Sequence, residues 1–298
     1  VDTALRLTVV VPAYNEETYI GACLVSLLAQ ERDLHEIVVV DNNSTDRTAE
    51  IVEEYASRHP VVRLIREPRA GTVYARDAGF DAATGDIVGR IDADTRVAPD
   101  WARSMLDYFG RPDTGDIGAV TGLSNSYDSP YRGLKSWYVD RLVRKGILGG
   151  EQRIRNLHGA NMAVRKSTWD RVRGAVSADR DVHEDADLAL CIGAEGIGIV
   201  QLTQMRADVS PRRALTPPFE FSRYIDAGIK TLERHGAMTP QHRRMLRLHW
   251  FTHLGAYLAY RPYDPDLGRF TVRRFFFGGP ARTMPVVTTT DLRDRPQN

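Results

Sequence analysis

The sequence predicts an α/β fold: a mostly parallel, Rossmann-like sheet flanked by helices, with a helical extension at the C-terminus. Three observations predict it. Short apolar runs rich in β-branched residues alternate with helical patterns over the first 120 of 298 residues. Those runs are apolar throughout rather than every second residue, as strands covered on both faces are. Polar clusters follow each of the first four runs, at the edge where open parallel sheets bind ligands.

The elements follow in order. Leu7–Val11 (LTVVV) is a buried strand, broken by Pro12-Ala-Tyr-Asn. Glu16–Gln30 places Ile20, Cys23, Leu24, Leu27 and Leu28 at helical spacing. Glu36–Asp41 is a second strand, and Asp46–Arg58 a helix with Ile51, Val52 and Tyr55 inward. Val61–Ile65 is a third strand, Thr72–Ala83 a helix and Gly85–Ile91 a fourth strand. Pro99 opens another helix, and Ile117–Gly122 is a fifth strand. The middle is less regular: a helical stretch within 124–150, a loop entering a short strand at His158–Lys166, and a helix over 184–195. Helices at Phe219–His235 and Pro240–Tyr260 precede an aromatic, basic tail, and Thr288–Asn298 is expected to be disordered.

Composition sets outer bounds. Hydrophobic residues make up 42% and charged residues 27%, an ordinary globular balance. The net charge of +1 hides an asymmetry: from Met205 onward there are 16 Arg and Lys against 8 Asp and Glu. Such a basic region suits a phosphate-bearing substrate or an anionic membrane surface, and equally a solvated helical face. Two distant cysteines, Cys23 and Cys191, make neither a disulfide framework nor a zinc motif and fit a reducing compartment. No apolar run approaches the ~18–20 residues that span a bilayer, and no secretory signal is visible. The expectation is a cytoplasmic protein.

The most informative stretch is Arg90–Val97, RIDADTRV, where two carboxylates two residues apart follow an apolar strand. If the strand carries through them, Asp92 and Asp94 point to one side and repel unless a cation lies between them. Carboxylate oxygens suit Mn²⁺ or Mg²⁺ together with phosphate oxygens. The alternative is a solvated strand-end turn with Asp94 capping the next helix.

The segments VVVPAYNEETYI, VVVDNNSTDRTAEIV, ARDAGF, GRIDADTRVAPDW, HGANMAVRKSTWD and HEDADLALCIGAEG occur in an order that resembles the family 2 glycosyltransferases, over roughly residues 7–212. The resemblance implies a GT-A fold with a catalytic domain at 1–212, divided into a nucleotide-sugar half (1–122) and an acceptor-side half (123–212). The extension at 213–298 lies outside it.

It also implies roles. Pro12, Ala13, Tyr14 and Glu16 would line the nucleotide pocket, and Asp41 and Asn42 would contact base and ribose, with Asn where Asp is more usual. Arg76 would lie near the nucleotide, or else be a helix-surface arginine paired with Asp77 or Asp81. Asp92, Ala93 and Asp94 match the Asp-x-Asp metal motif. Asp94 would ligate directly, and Asp92 with it, through water or on the ribose. Glu184-Asp185 matches the family's acidic pair, with Asp185 as general base; helix capping is the alternative for both, and Asp187 the lesser candidate base. His158, Gly159 and Asn161 would form the acceptor-side loop. His183 could be a metal ligand or an acceptor contact. Arg212 or Arg213 could clamp the diphosphate.

The implied reaction is single-sugar transfer from a nucleotide-diphospho-sugar, with a UDP-sugar favoured, to a carbohydrate or lipid-linked acceptor hydroxyl, with inversion. The Gln-x-x-Arg-Trp motif of processive synthases is missing. No nucleic-acid partner is implied. The aromatic and basic residues of 243–279 suggest peripheral membrane contact, or packing against the catalytic domain or a second subunit. A sugar-nucleotidyltransferase would need a Gly-rich triphosphate loop that PAYNEETYI lacks. A non-catalytic nucleotide-sugar scaffold would not need all three of Asp92, Asp94 and Asp185.

Overall fold

The computed structural model describes residues 4–146, 150–264 and 267–277. The expected disorder of Thr288–Asn298 lies outside them. The chain forms two compact units: Val1–Asn125, Asp140–Ala178 and Glu184–Val209 in one, Ser126–Val139, Asp179–His183 and Ser210–Asn298 in the other.

The first unit carries β1 (Leu7–Ala13), α1 (Ile20–Leu28), β2 (Glu36–Asp41), α2 (Thr48–Arg58), β3 (Val62–Arg66), α3 (Thr72–Ala82), β4 (Ile87–Arg90), β5 (Thr95–Val97), α4 (Trp101–Phe109) and β6 (Ile117–Ser126). After α5 (Arg132–Arg144), which the unit boundary divides, come β7 (Glu151–Ile154), β8 (Met162–Arg165), α6 (Lys166–Val172), α7 (Glu184–Ala194) and β9 (Gly198–Val209).

One mixed sheet runs β3-β2-β1-β4-β8-β6-β9-β5, with β7 on β9. Strands β1 to β4 are parallel, as the strand–helix alternation predicts. Beyond β4 the pairing turns antiparallel: β8 on β4 and β6, and β9 on β5 and β7. Alternating side chains explain the continuous apolar runs. Leu7, Val9, Val11, Ile37 and Val39 join one core, whereas Val10, Val38 and Val40 join another on the opposite face. Strands β5, β7 and β9 were not delimited from sequence. Each is short or alternates with polar residues, so its run of apolar side chains is broken.

The parallel register brings the carboxyl ends of β1, β2 and β4 to one edge, with Ala13 opposite Asp41 and Val10 opposite Arg90. Because β8 runs antiparallel to β4, with Arg90 opposite Met162, the loop that enters β8 arrives at the same edge. Asn161 holds that loop. Its side chain accepts from the Trp101 indole at 2.7 Å and donates to the carbonyls of Leu123 and Met205 at 3.1 and 2.9 Å. Its own carbonyl accepts from the Thr121 hydroxyl and the Gly122 amide.

At the opposite edge, Glu36 accepts from the Thr8 hydroxyl, the Thr84 amide and the Arg63 guanidinium. Burial opposes its ionisation, but these donors prevail and hold its pKa at about 2, against 4.5 for a free glutamate.

In the second unit, α8 (Pro218–Arg234) and α9 (Pro240–Tyr260) pack together, followed by the β10 (Tyr263–Asp264) and β11 (Arg269–Phe270) hairpin and α10 (Val272–Phe277). The His253 ring stacks on Phe221 at 3.6 Å, and its Nε2 donates to the Thr216 carbonyl at 2.9 Å. Burial first, then nearby positive groups, hold the His249 imidazole below its ordinary pKa.

Asn161→Ala leaves an indole N–H and two carbonyls buried without partners, and is expected to lower unfolding free energy by about 3–5 kcal/mol in urea titration. Glu36, with its folded pKa depressed, contributes stability that is complete above pH 4.5 and lost as pH falls toward 2. The stability difference between wild type and Glu36→Gln should therefore be constant above 4.5 and close below it, in denaturant melts across pH.

Candidate active site

The loop after β1 is built against the loop after β2. Asn15 adopts a left-handed backbone, φ 53°, and its side chain accepts from the Thr45 amide at 2.8 Å. The Glu16 amide donates to the Thr48 hydroxyl at 2.8 Å, and Thr48 in turn donates to Asp46 through both its amide and its hydroxyl. Desolvation opposes the Asp46 charge, but the donors from Thr48 and the Glu17 amide outweigh it and lower its pKa. The turn that carries Pro12, Ala13, Tyr14 and Glu16 is therefore held from outside by side chains that the sequence reading did not single out.

Asp41 ends β2 and accepts from the Ser44 amide. Asn42 is buried, and its amide ties two loops together. It donates to the carbonyls of Glu67 and Arg69 at 2.8 and 2.7 Å and accepts from the Gly71 amide at 2.8 Å. Gly71 has φ 141°, a backbone favoured by glycine, and it starts α3. Asn suits this position because it both donates and accepts, which aspartate cannot.

Asp92 and Asp94 do not extend a strand. β4 ends at Arg90, and the two acids lie in a turn closed by the Thr95 amide on the Asp92 carbonyl at 2.9 Å. Nor does Asp94 cap a helix, since α4 begins at Trp101. What gathers around this turn is negative charge. The buried Cys23 thiol is pushed far above its ordinary pKa, by burial first and then by Asp94, Asp92 and Glu16. The Cys23 thiol also lies against the Asp92 carbonyl, beneath the β4–β5 turn, and Ala93 between the two aspartates is buried. The carboxylate oxygens of Asp92 and Asp94, two residues apart in this turn, are of the donor type that suits Mn²⁺ or Mg²⁺.

Arg90, which the sequence reading passed over, is 3% exposed. Its Nη2 lies 3.0 Å from Asp92 Oδ1 and 3.0 Å from Glu184 Oε1. A charged residue inside the apolar run DIVGRI was the available signal, because buried arginines are paired ones. Arg76 is fully buried, which corrects the helix-surface alternative. It pairs with Asp77 at 2.7 Å, as that alternative had it, but also donates through Nη1 to the Glu184 carbonyl at 2.7 Å and lies over the Trp169 ring. Desolvation raises the Asp77 pKa against the pull of Arg76 and Arg173.

Asp185 lies in the first turn of α7. Its Oδ2 accepts from the Gly159 amide at 3.0 Å and its Oδ1 from the Ala186 amide at 2.8 Å. Asp187 is fully buried and accepts from the Ser177 amide at 2.7 Å, so it is a structural carboxylate. In the acceptor-side loop His158 is exposed and Gly159 buried. Asn161, 0% exposed, is a correction: its amide holds the loop and offers nothing to a ligand. His183 and the two candidate clamps belong to the second unit. His183 bonds the Tyr224 carbonyl at 2.7 Å and Arg213 lies over the Tyr224 ring, while Arg212 sits in the short turn after Ser210.

The family model described as "Glycosyl transferase family 2" matches residues 8–172. The chain belongs to glycosyl transferase family 2. Among family relatives, the "Uncharacterized glycosyltransferase YibD" of Escherichia coli is 27% identical over 80% of this chain and 67% of its own length. The "Beta-monoglucosyldiacylglycerol synthase" of Synechocystis is 32% identical over 62% of this chain and 40% of its own. The chain spans about a third to two thirds of the length of several of the curated relatives it matches. A structure titled "Mannosyltransferase PcManGT from Pyrobaculum calidifontis in complex with GDP-Man and Mn2+" superposes with a TM-score of 0.60 at 23% identity, covering 87% of this chain and 74% of that one. That likeness is one of fold, and it makes the family 2 unit a GT-A fold.

Proposed function

We propose that this family 2 protein is a metal-dependent glycosyltransferase that moves one sugar from a nucleotide-diphospho-sugar to an acceptor hydroxyl, with inversion. The observation that carries the reading is the meeting at one sheet edge of the acidic turn after β4 with the start of α7, where Arg90 joins Asp92 to Glu184 and the Gly159 amide orients Asp185. A transferase of the same fold that holds GDP-mannose and Mn²⁺ supports the donor class and the metal.

Asp94 and Asp92 would hold Mn²⁺ or Mg²⁺, which supplies charge neutralisation on the leaving diphosphate. Pro12, Ala13, Tyr14 and Asp41 line the nucleotide side. Asn42 keeps its floor in shape by closing the 67–71 loop. Asp185 takes the proton from the acceptor hydroxyl; its two amide donors, one on each oxygen, fix the orientation of the carboxylate. Glu184, engaged by Arg90, supports that helix start and does not act as the base.

The acceptor reading is carbohydrate or lipid-linked, and a surface of the second unit favours the latter. Among the described residues, Val25 is the one exposed large apolar side chain outside that unit. On α9, Met245, Leu248, Phe251 and Leu258 are exposed, and the helix carries no acidic residue while Arg244 and Arg247 are exposed; Arg243 pairs with Glu233 of α8 at 2.7 Å. Apolar residues flanked by arginine suit an anionic lipid surface. Arg274 is no part of that charge, because it pairs with Asp264 at 3.0 Å. No helix of the described residues is long and apolar enough to cross a membrane.

Calorimetry with UDP, GDP, TDP and CMP, with and without Mn²⁺, is expected to show metal-dependent binding of one nucleotide, weakened at least roughly tenfold by Asp94→Ala. Asp185→Asn should keep that binding and lose roughly 10²–10⁴-fold in sugar transfer. A folded protein that binds none of them sinks the reading. Separately, co-sedimentation with phosphatidylglycerol vesicles at low salt is expected, and should be lost in Arg244→Glu/Arg247→Glu/Arg273→Glu; no binding by wild type removes the membrane contact.

A further inference from the structure

The strand that leads into the acidic turn ends on a buried guanidinium, and that group has partners on both sides of the site. Nη2 of Arg90 is shared between Asp92, on the donor side, and Glu184, the residue before the proposed base, at 3.0 Å each. The same guanidinium packs against Gly159: a Cβ built there would fall 1.4 Å from Nη1. Gly159 is also the residue whose amide donates to Asp185 Oδ2. The Glu184 carbonyl is held in turn by Arg76, itself buried and paired with Asp77.

Arg90 thus meets α7 by two routes, directly through the Glu184 carboxylate and indirectly through the Gly159 backbone. Arginine suits this place for a stated reason. The guanidinium is a rigid plane: Nη2 holds its two hydrogens at fixed angles toward the two carboxylates while Nη1 lies against Gly159, and an ammonium on a flexible stem has no such second arm. Glycine at 159 has an equally definite cause, since any side chain would displace the guanidinium.

We propose that Arg90 is a positioning residue that fixes Asp185 relative to Asp92 by bridging Asp92 and Glu184 and by supporting the Gly159 backbone. The proposal rests on the reading of Asp185 as the base, and goes beyond it in naming what places that base. Donor-side and acceptor-side carboxylates then share one rigid anchor rather than belonging to two independent loops. A positioning error of about 1 Å at such a site is enough to cost on the order of 100-fold in rate.

The Gly159 amide proton reports this arrangement without any substrate. Labelling histidine at the carbonyl carbon and glycine at nitrogen selects His-Gly pairs, of which the chain has two, ending at Gly159 and Gly236. Asp185→Asn identifies Gly159 by moving its resonance, and calibrates the loss of a hydrogen bond to a carboxylate. Arg90→Lys, which keeps the charge but not the fork, and Glu184→Gln, which keeps the shape but removes one anchor, are each expected to move the Gly159 proton in the same direction as Asp185→Asn. Both variants should retain metal-dependent nucleotide binding when folded, while sugar transfer falls roughly tenfold or more.

An unmoved Gly159 resonance in both variants overturns the proposal, and so does a wild-type spectrum in Arg90→Lys, which would mean that charge alone is needed. If Arg90→Lys fails to fold, Glu184→Gln decides by the same resonance. Because this readout uses no nucleotide, failure of the nucleotide panel and failure of the Arg90 bridge are separate results.

Discussion

The antiparallel pairing of β8 against β4 is the constraint on which the site depends. A purely parallel sheet brings strand ends and their loops to one edge, but it delivers the chain from that edge only by way of a helix. With Arg90 opposite Met162, the loop that enters β8 arrives beside the residues that leave β4. Three features then meet at one point of the sheet: the acidic turn after β4, the Gly159 amide before β8 and the start of α7 that the amide touches.

That geometry is maintained by buried polar groups rather than by apolar packing. Asn161 closes the β6–β8 corner with donors and acceptors matched one to one, and Asn42 does the same between the second and third loops. Arg90 and Arg76 carry charge into the interior, and each meets carboxylate or carbonyl oxygen there. Such groups stabilise little in sum but are costly to leave unmatched, so they select one loop arrangement out of many. The apolar cores on the two faces of the sheet stabilise the unit without specifying where Asp185 points.

Much of this was legible in the chain. Four strands, their helices and the polar turns after them followed from apolar runs and 3.6-residue spacing, because both faces of the parallel half are covered. β9 escaped because GIVQLTQMRADV mixes polar and apolar residues, and β5 because it has three residues. Among site residues, Asp92, Asp94 and Asp185 were readable as acids in ordered motifs. Asn161 and Asn42 stand in the same motifs but act on the chain itself, a distinction that needs knowledge of which carbonyls lie within reach.

By itself the sequence determined the alternation of elements, the family and the acidic chemistry, since these depend on local pattern and on residue type. The tertiary structure alone decided which charges meet. Arg90 is 94 residues from Glu184, and Gly159 lies 26 before Asp185. No local periodicity encodes pairs at such separations. They exist because strand order and direction place them on one edge, where burial makes each choice of partner matter.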